Sequence, residues 1–226
     1  MCRLSTVKKL LIALCLALFT APLAHAAEAS HLELIGFSKN GAYVAFDQFG
    51  TYDGRGTPYI HTSFVSVKNN RLEVELKTEV DVEGVTVAQL RAKAKMQIAA
   101  AMKKYGIVVG NQGRFIGVTP PHRYTTVSEF FALDSTYGLS IASKPAVNTG
   151  DLCTEAPQLL IVKLTVSGKT RDLQRDARLP ASRACAYGYE LRSAHLYGRS
   201  LAVFVSYQTQ GFEGADSRWI VVTTLL

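Results

Sequence analysis

Several common signatures are missing from this 226-residue chain. No G-x-S-x-G elbow is present, so a hydrolase of that design lacks its nucleophile. There is no phosphate-cradling glycine loop and no dinucleotide fingerprint. The histidines after the N-terminal segment, His31, His61, His122 and His195, share no i, i+4 or other ligand spacing, which argues against a histidine-built metal centre. No C-x-x-C occurs, so nothing in the spacing depresses a thiol pKa. Basic residues do not cluster: Arg171, Arg175 and Arg178 alternate with Asp172 and Asp176, which reads as a solvated, self-neutralised strand or loop.

Long apolar runs are also scarce, and the one present is at the N-terminus. Met1 to Lys9 carries Arg3, Lys8 and Lys9 and no acid; Leu10 to Ala24 is almost continuously apolar; Ala24-His25-Ala26 comes next. That is the order of a secretory leader with its cleavage signal, and the run falls short of the roughly 20 residues that cross a bilayer. The reading is a signal peptide over residues 1–26 and a single mostly-β secreted domain over 27–226, with no membrane span after cleavage. Cleavage also lowers the charge. The whole chain has 25 Lys and Arg against 18 Asp and Glu, a formal +7; without the leader it has 22 against 18, a formal +4. A balance that mild gives no reason to expect nucleic acid.

Of four cysteines, Cys2 and Cys15 leave with the leader and Cys153 and Cys185 remain. An even pair in an oxidising compartment reads as a structural disulfide. Its loop of about 32 residues gives roughly 3–4 kcal/mol in the chain-entropy model.

Strand patterns dominate the chain beyond the leader. His31 to Phe37 and Ala42 to Phe49 flank Asn40-Gly41, the pattern of a type I′ hairpin. Tyr59 to Val67 and Arg71 to Glu79 flank Asn69-Asn70. Within the latter strand Leu72, Val74 and Leu76 alternate with charged residues, predicting one buried and one wet face. One helix stands out. Thr86 and Gln89 form a capping box; Val87, Leu90, Ala94, Ile98, Ala101 and Tyr105 make one apolar stripe; Gly106 is placed to end it. Arg91 and Lys95 fall on one flank and Lys93 and Lys104 on the other, so the helix reads as a cover on a sheet rather than a cationic membrane face. Residues 110–157 read as short strands and loops. Strands return at Leu159–Val166, turned by Ser167-Gly168, then at Tyr189–Leu196, Leu201–Tyr207 and Arg218–Thr224. The fold class is mostly β with one amphipathic helix (α+β), its antiparallel hairpins forming a sandwich or propeller-blade-like sheets.

A faint internal repeat relates residues 42–60 to 202–220. Ala42, Gln48, Gly54 and Ile60 meet Ala202, Gln208, Gly214 and Ile220, and Tyr52-Asp53-Gly54 meets Phe212-Glu213-Gly214. Two hairpins with equivalent loops would project Asp53 opposite Glu213 and Asp216, with Arg218 beside them. Such oxygen-rich loops suit Ca²⁺, or the carboxylates suit acid–base work; the plainer reading is turn chemistry. No cofactor is otherwise expected. Arg218 reads as an exposed partner of Asp216 or Glu213, worth little stability. Tyr59 and Trp219 read as core or cross-strand contacts.

The run from Gly36 to Phe46, GFSKNGAYVAF, resembles the blade motif of the periplasmic propeller protein of the Tol–Pal system. Only two such units occur, with a helix between them, against the four or more blades of a propeller. Three ordered blocks carry a fuller likeness: the Gly36–Phe46 motif with Asp53-Gly54-x-Gly56, Arg178-Leu179-Pro180-Ala181-Ser182-Arg183-x-Cys185, and Gly211-Phe212-Glu213-Gly214-x-Asp216-x-Arg218. In these the chain is similar to a bacterial family of predicted secreted proteins, domain of unknown function 2259, departing from it at Asn40, where Asp is expected. The resemblance implies a periplasmic or secreted protein and no particular activity. The functional expectation is a non-catalytic binding or interaction module of the cell envelope, with an unidentified envelope protein or ligand as partner and strand edges as the docking device. The alternative is an envelope hydrolase using the loop carboxylates.

Overall fold

The computed structural model describes residues 28–52, 54–82, 84–116, 128–146, 153–211 and 214–226; the leader expected over residues 1–26 lies outside them. Twelve strands are described: β1 (His31–Phe37), β2 (Tyr43–Thr51), β3 (Pro58–Ser66), β4 (Arg71–Glu79), β5 (Arg114–Phe115), β6 (Ser128–Ala132), β7 (Ser135–Pro145), β8 (Gln158–Val166), β9 (Lys169–Arg175), β10 (Tyr187–Tyr197), β11 (Ser200–Gln210) and β12 (Ala215–Leu225). The helix α1 (Val87–Tyr105) comes after β4. The strands form three antiparallel four-stranded sheets: sheet I in the order β1-β2-β3-β4, sheet II in the order β6-β7-β8-β9, and sheet III in the order β12-β11-β10-β5.

These sheets stack as layers, and alternation within β11 shows how. Leu201, Val203 and Val205 join Leu139, Leu160 and Leu164 of sheet II in one cluster. Ala202 and Phe204, on the other face, join Phe37, Val44, Phe46 and Val65 of sheet I in a second. Period-two geometry therefore buries sheet III on both sides. Sheet I is covered on its far face by α1: Leu90, Ala94, Ile98 and Tyr105 of the helix pack on Ala45, Ile60 and Phe64. The order of layers is helix, sheet I, sheet III, sheet II.

The helix forms as its sequence predicts. Thr86 and Gln89 complete the capping box, and Gly106 takes the left-handed conformation at φ 61° that ends the helix, a conformation in which a Cβ is costly. Its cationic flanks are ordinary: Arg91 pairs with Glu33 at 2.6 Å and stacks on Phe49. Gly36 answers a different need, since a Cβ there would stand 2.3 Å from the Val108 carbonyl oxygen, where the 107–112 segment crosses β1.

Four expectations change. The Asn40-Gly41 loop is not a two-residue type I′ turn: only Gly41 has positive φ, and the Asn40 side chain instead accepts the Ala42 N–H and the Ser38 hydroxyl, an Asx-type closure of a longer loop. Leu72 is 52% exposed, because a register shift opposite Phe64 and Val65 flips it to the face carrying Glu75 and Lys77. The 110–157 region holds an eleven-residue strand, β7, entered through Leu133-Asp134, both at positive φ. Finally, Asp176 is not part of a solvated strand; it is buried.

Candidate functional site

Among the predicted site residues, Asp216 and Arg218 come together, and Asp53 and Glu213 lie outside the described residues. β12 begins at Ala215, so residues two apart, Asp216 and Arg218, present their side chains on one face. Arg218 binds Asp216 at 3.2 Å, but its main partner is Glu28, gripped at 2.5 and 3.1 Å by both terminal nitrogens. The main-chain N–H of Glu28 donates to Asp216 at 3.2 Å, and its carbonyl accepts the Ser217 N–H at 2.8 Å. Arg218 and Asp216 pair as expected, but not at the surface: their side chains are 20% and 11% exposed, and that of Glu28 is 2%. Burial alone would lower the Arg218 pKa, yet the Glu28 carboxylate raises it. Nothing near β12 in sequence announces Glu28, because the contact spans 190 residues.

Tyr59 lies fully buried beside this cluster, with Arg218 over its ring. Burial and the adjacent Glu28 push its phenol well above the ordinary tyrosine range. Trp219 donates its indole N–H to the Ser30 carbonyl at 2.8 Å, so both aromatics serve packing and cross-strand contact. Next along β3, His61 Nε2 lies 2.9 Å from Glu79, which also accepts the Tyr52 hydroxyl at 2.7 Å. These hydrogen bonds hold Glu79 below the usual carboxylate range, while burial raises Tyr52.

Where sheets I and II pass the edge of β12, a groove of about 520 Å³ opens. One wall is the outer part of sheet I, with His61, Ser63, Glu75 and Lys77; the other includes Gln174 and Arg183; Trp219 to Val221 form the floor. Arg183 comes from a 3-10 turn, Ala181–Arg183, and meets Asp176 at 2.8 Å, their side chains 6% and 2% exposed. Burial works against the Asp176 charge, but Arg183, Gln174 and the Leu160 N–H outweigh it and lower the pKa. Burial likewise raises Tyr207, to about 12. The turn that carries Arg183 is tied down by the Cys153–Cys185 disulfide, with Cα atoms 5.5 Å apart.

The floor is a sheet edge, and sheet I closes most of it. Ser217, Trp219 and Thr223 point their N–H groups away from β11; these go to the Glu28 carbonyl, to Gln48 Oε1 at 2.9 Å and to Asn70 Oδ1 at 2.8 Å. Side-chain amides thus cap much of an edge that would otherwise invite another strand. Sequence reading missed Gln48 and Asn70 as well, although Gln48 was half visible as an identity within the internal repeat.

Among the described residues no group of three His, Cys, Asp or Glu side chains is placed to hold a metal ion, and no helix is long and apolar enough to cross a membrane. Arg218 bridges Glu28 and Asp216, one guanidinium to two carboxylates.

A family model described as predicted secreted protein, domain of unknown function 2259, matches residues 45–224, and the chain belongs to that family. No curated protein matches the chain.

Proposed function

For a member of this predicted secreted family, we propose a non-catalytic binding module of the cell envelope, acting in the periplasm or outside the cell, whose ligand sits in the groove beside β12. The supporting observation is the state of its ionisable lining. Arg183 is matched by Asp176, and Arg218 is held between Glu28 and Asp216; His61 on the wall is engaged by Glu79 at 2.9 Å; Glu75 and Lys77 lie 3.7 Å apart; the Tyr207 phenol is shifted up, away from neutrality. A general acid and base need pKa values near the working pH and a free path to the substrate. Here the charges are spent on one another, which suits holding a ligand rather than moving protons.

Leu72→Arg tests the reading, since Leu72 is exposed on the groove wall. Thermal-shift titration with solubilised envelope material should stabilise the native protein and leave Leu72→Arg unmoved. Turnover of ester, glycoside or peptide substrates that disappears in Asp216→Asn would instead establish the hydrolase.

A further inference from the structure

β12 pairs with β11 in unbroken register from Ala215 to Leu225. In an antiparallel ladder the N–H and C=O of one residue point to the same side and alternate along the strand. Since Ser217, Trp219 and Thr223 donate away from β11, Val221 points the same way. Its neighbours on that side are capped by Gln48 and Asn70; among the described residues no hydrogen bond to the Val221 N–H is present. Val221 lines the groove. Between the clamps on Trp219 and Thr223, whose anchor residues are about 13 Å apart along the strand, one rung therefore faces the cavity.

Several side chains around it are already engaged. Gln174 is bound to Asn70 and Asp176, Arg183 to Asp176 and Tyr189, and the Trp219 indole to Ser30. The Ser63, Ser182 and Tyr207 hydroxyls also line the groove, but the donor and acceptor held in fixed geometry are those of the main chain at Val221. A donor and an acceptor at the spacing of one strand residue match another peptide unit. The close Glu75–Lys77 pair makes no demand for a net charge.

We propose that the groove takes a short, uncharged stretch of peptide, one residue of which pairs with Val221 through both main-chain hydrogen bonds. This rests on the binding-module reading and gives its ligand class. The caps on Trp219 and Thr223 limit pairing to that one residue, so a long strand cannot add along β12.

The test uses the leaderless protein labelled with ¹⁵N, with acetyl-Ala-Val-Ala-methylamide as probe and a neutral trisaccharide as control. In the free protein the Val221 amide should exchange about tenfold or more faster than those of Trp219 and Thr223, because it alone lacks an acceptor. Peptide should slow it and move its resonance downfield. Val221→Pro removes an N–H that the β11 ladder does not use and should abolish the peptide-induced shifts of the neighbouring Trp219 and Thr223 amides; should that variant not fold, exchange in the unaltered chain still decides. Equal protection of all three amides, or no peptide effect at Val221, overturns the proposal. Shifts at Lys77 and Trp219 with trisaccharide alone overturn the peptide while leaving the binding module standing.

Discussion

Leu201, Val203 and Val205 leave β11 toward sheet II, while Ala202 and Phe204 leave it toward sheet I. Beyond those cores the two interfaces differ. The sheet II side carries the larger apolar cluster, from Phe130 to Val222, with a few polar bonds at its rim, such as Arg171 to Thr224 and Arg114 to the Phe131 carbonyl. On the sheet I side a smaller apolar patch is ringed by polar locks: Gln48 on Trp219, Asn70 on Thr223, Ser200 on the Gly41 carbonyl, Glu28 on Arg218. Apolar burial is strong but tolerant of sliding; directional bonds are individually modest but specify one register. The larger share of adhesion falls on one face of sheet III and the larger share of alignment on the other.

The largest test lies at the margin of the apolar side. Arg183→Met leaves Asp176 as an uncompensated buried carboxylate and should cost about 3–5 kcal/mol in urea unfolding; a loss under about 1 kcal/mol would mean that Asp176 finds other solvation. Leu164→Ala, fully buried between sheets II and III, should cost about 2–5 kcal/mol without changing the oligomeric state. On the locking side the stability effect is smaller and the phenotype different. Gln48→Ala should lower stability by about 1 kcal/mol but expose the Trp219 N–H, and sedimentation should then show concentration-dependent self-association that Leu164→Ala does not.

The smallest effects come from pH. His195 sits under Phe204 and Phe115; burial lowers its pKa despite the Gln112 carbonyl. Its contribution is therefore complete above the unfolded value of about 6.5 and is lost as pH falls from there through the depressed folded value. Asp176 is also depressed, so its contribution persists to about pH 3.9 and fades below it. Urea midpoints should show a shallow decline beginning near about pH 6.5, absent in His195→Gln, and a second one in acid. A single acid transition in both proteins would remove His195 from the account.

Elements resting on local pattern were legible in the sequence: α1 with both caps, the β3–β4 hairpin, the Ser167-Gly168 turn and the Cys153–Cys185 pairing. Harder to read were features decided by distant partners. Leu133-Asp134 bends as a tight turn without any glycine or asparagine to mark it, so β6 and β7 did not stand out. Asp176 looked like one charge of an alternating series until a turn seven residues later brought Arg183 over it. At the candidate site the sequence pointed to Asp216 and Arg218 through a repeat, but not to Glu28, whose role exists only once both halves of the chain meet.

That meeting has a consequence for the order of assembly. A polypeptide emerging N-terminus first delivers Glu28, Phe37 and Phe46 long before β11 and β12 arrive to cover them. The interior face of sheet I must wait, apolar and uncovered, for roughly 150 residues of further emergence. Truncation before Ala215 would strand the whole earlier part without its closing strand and leave that face open to aggregation.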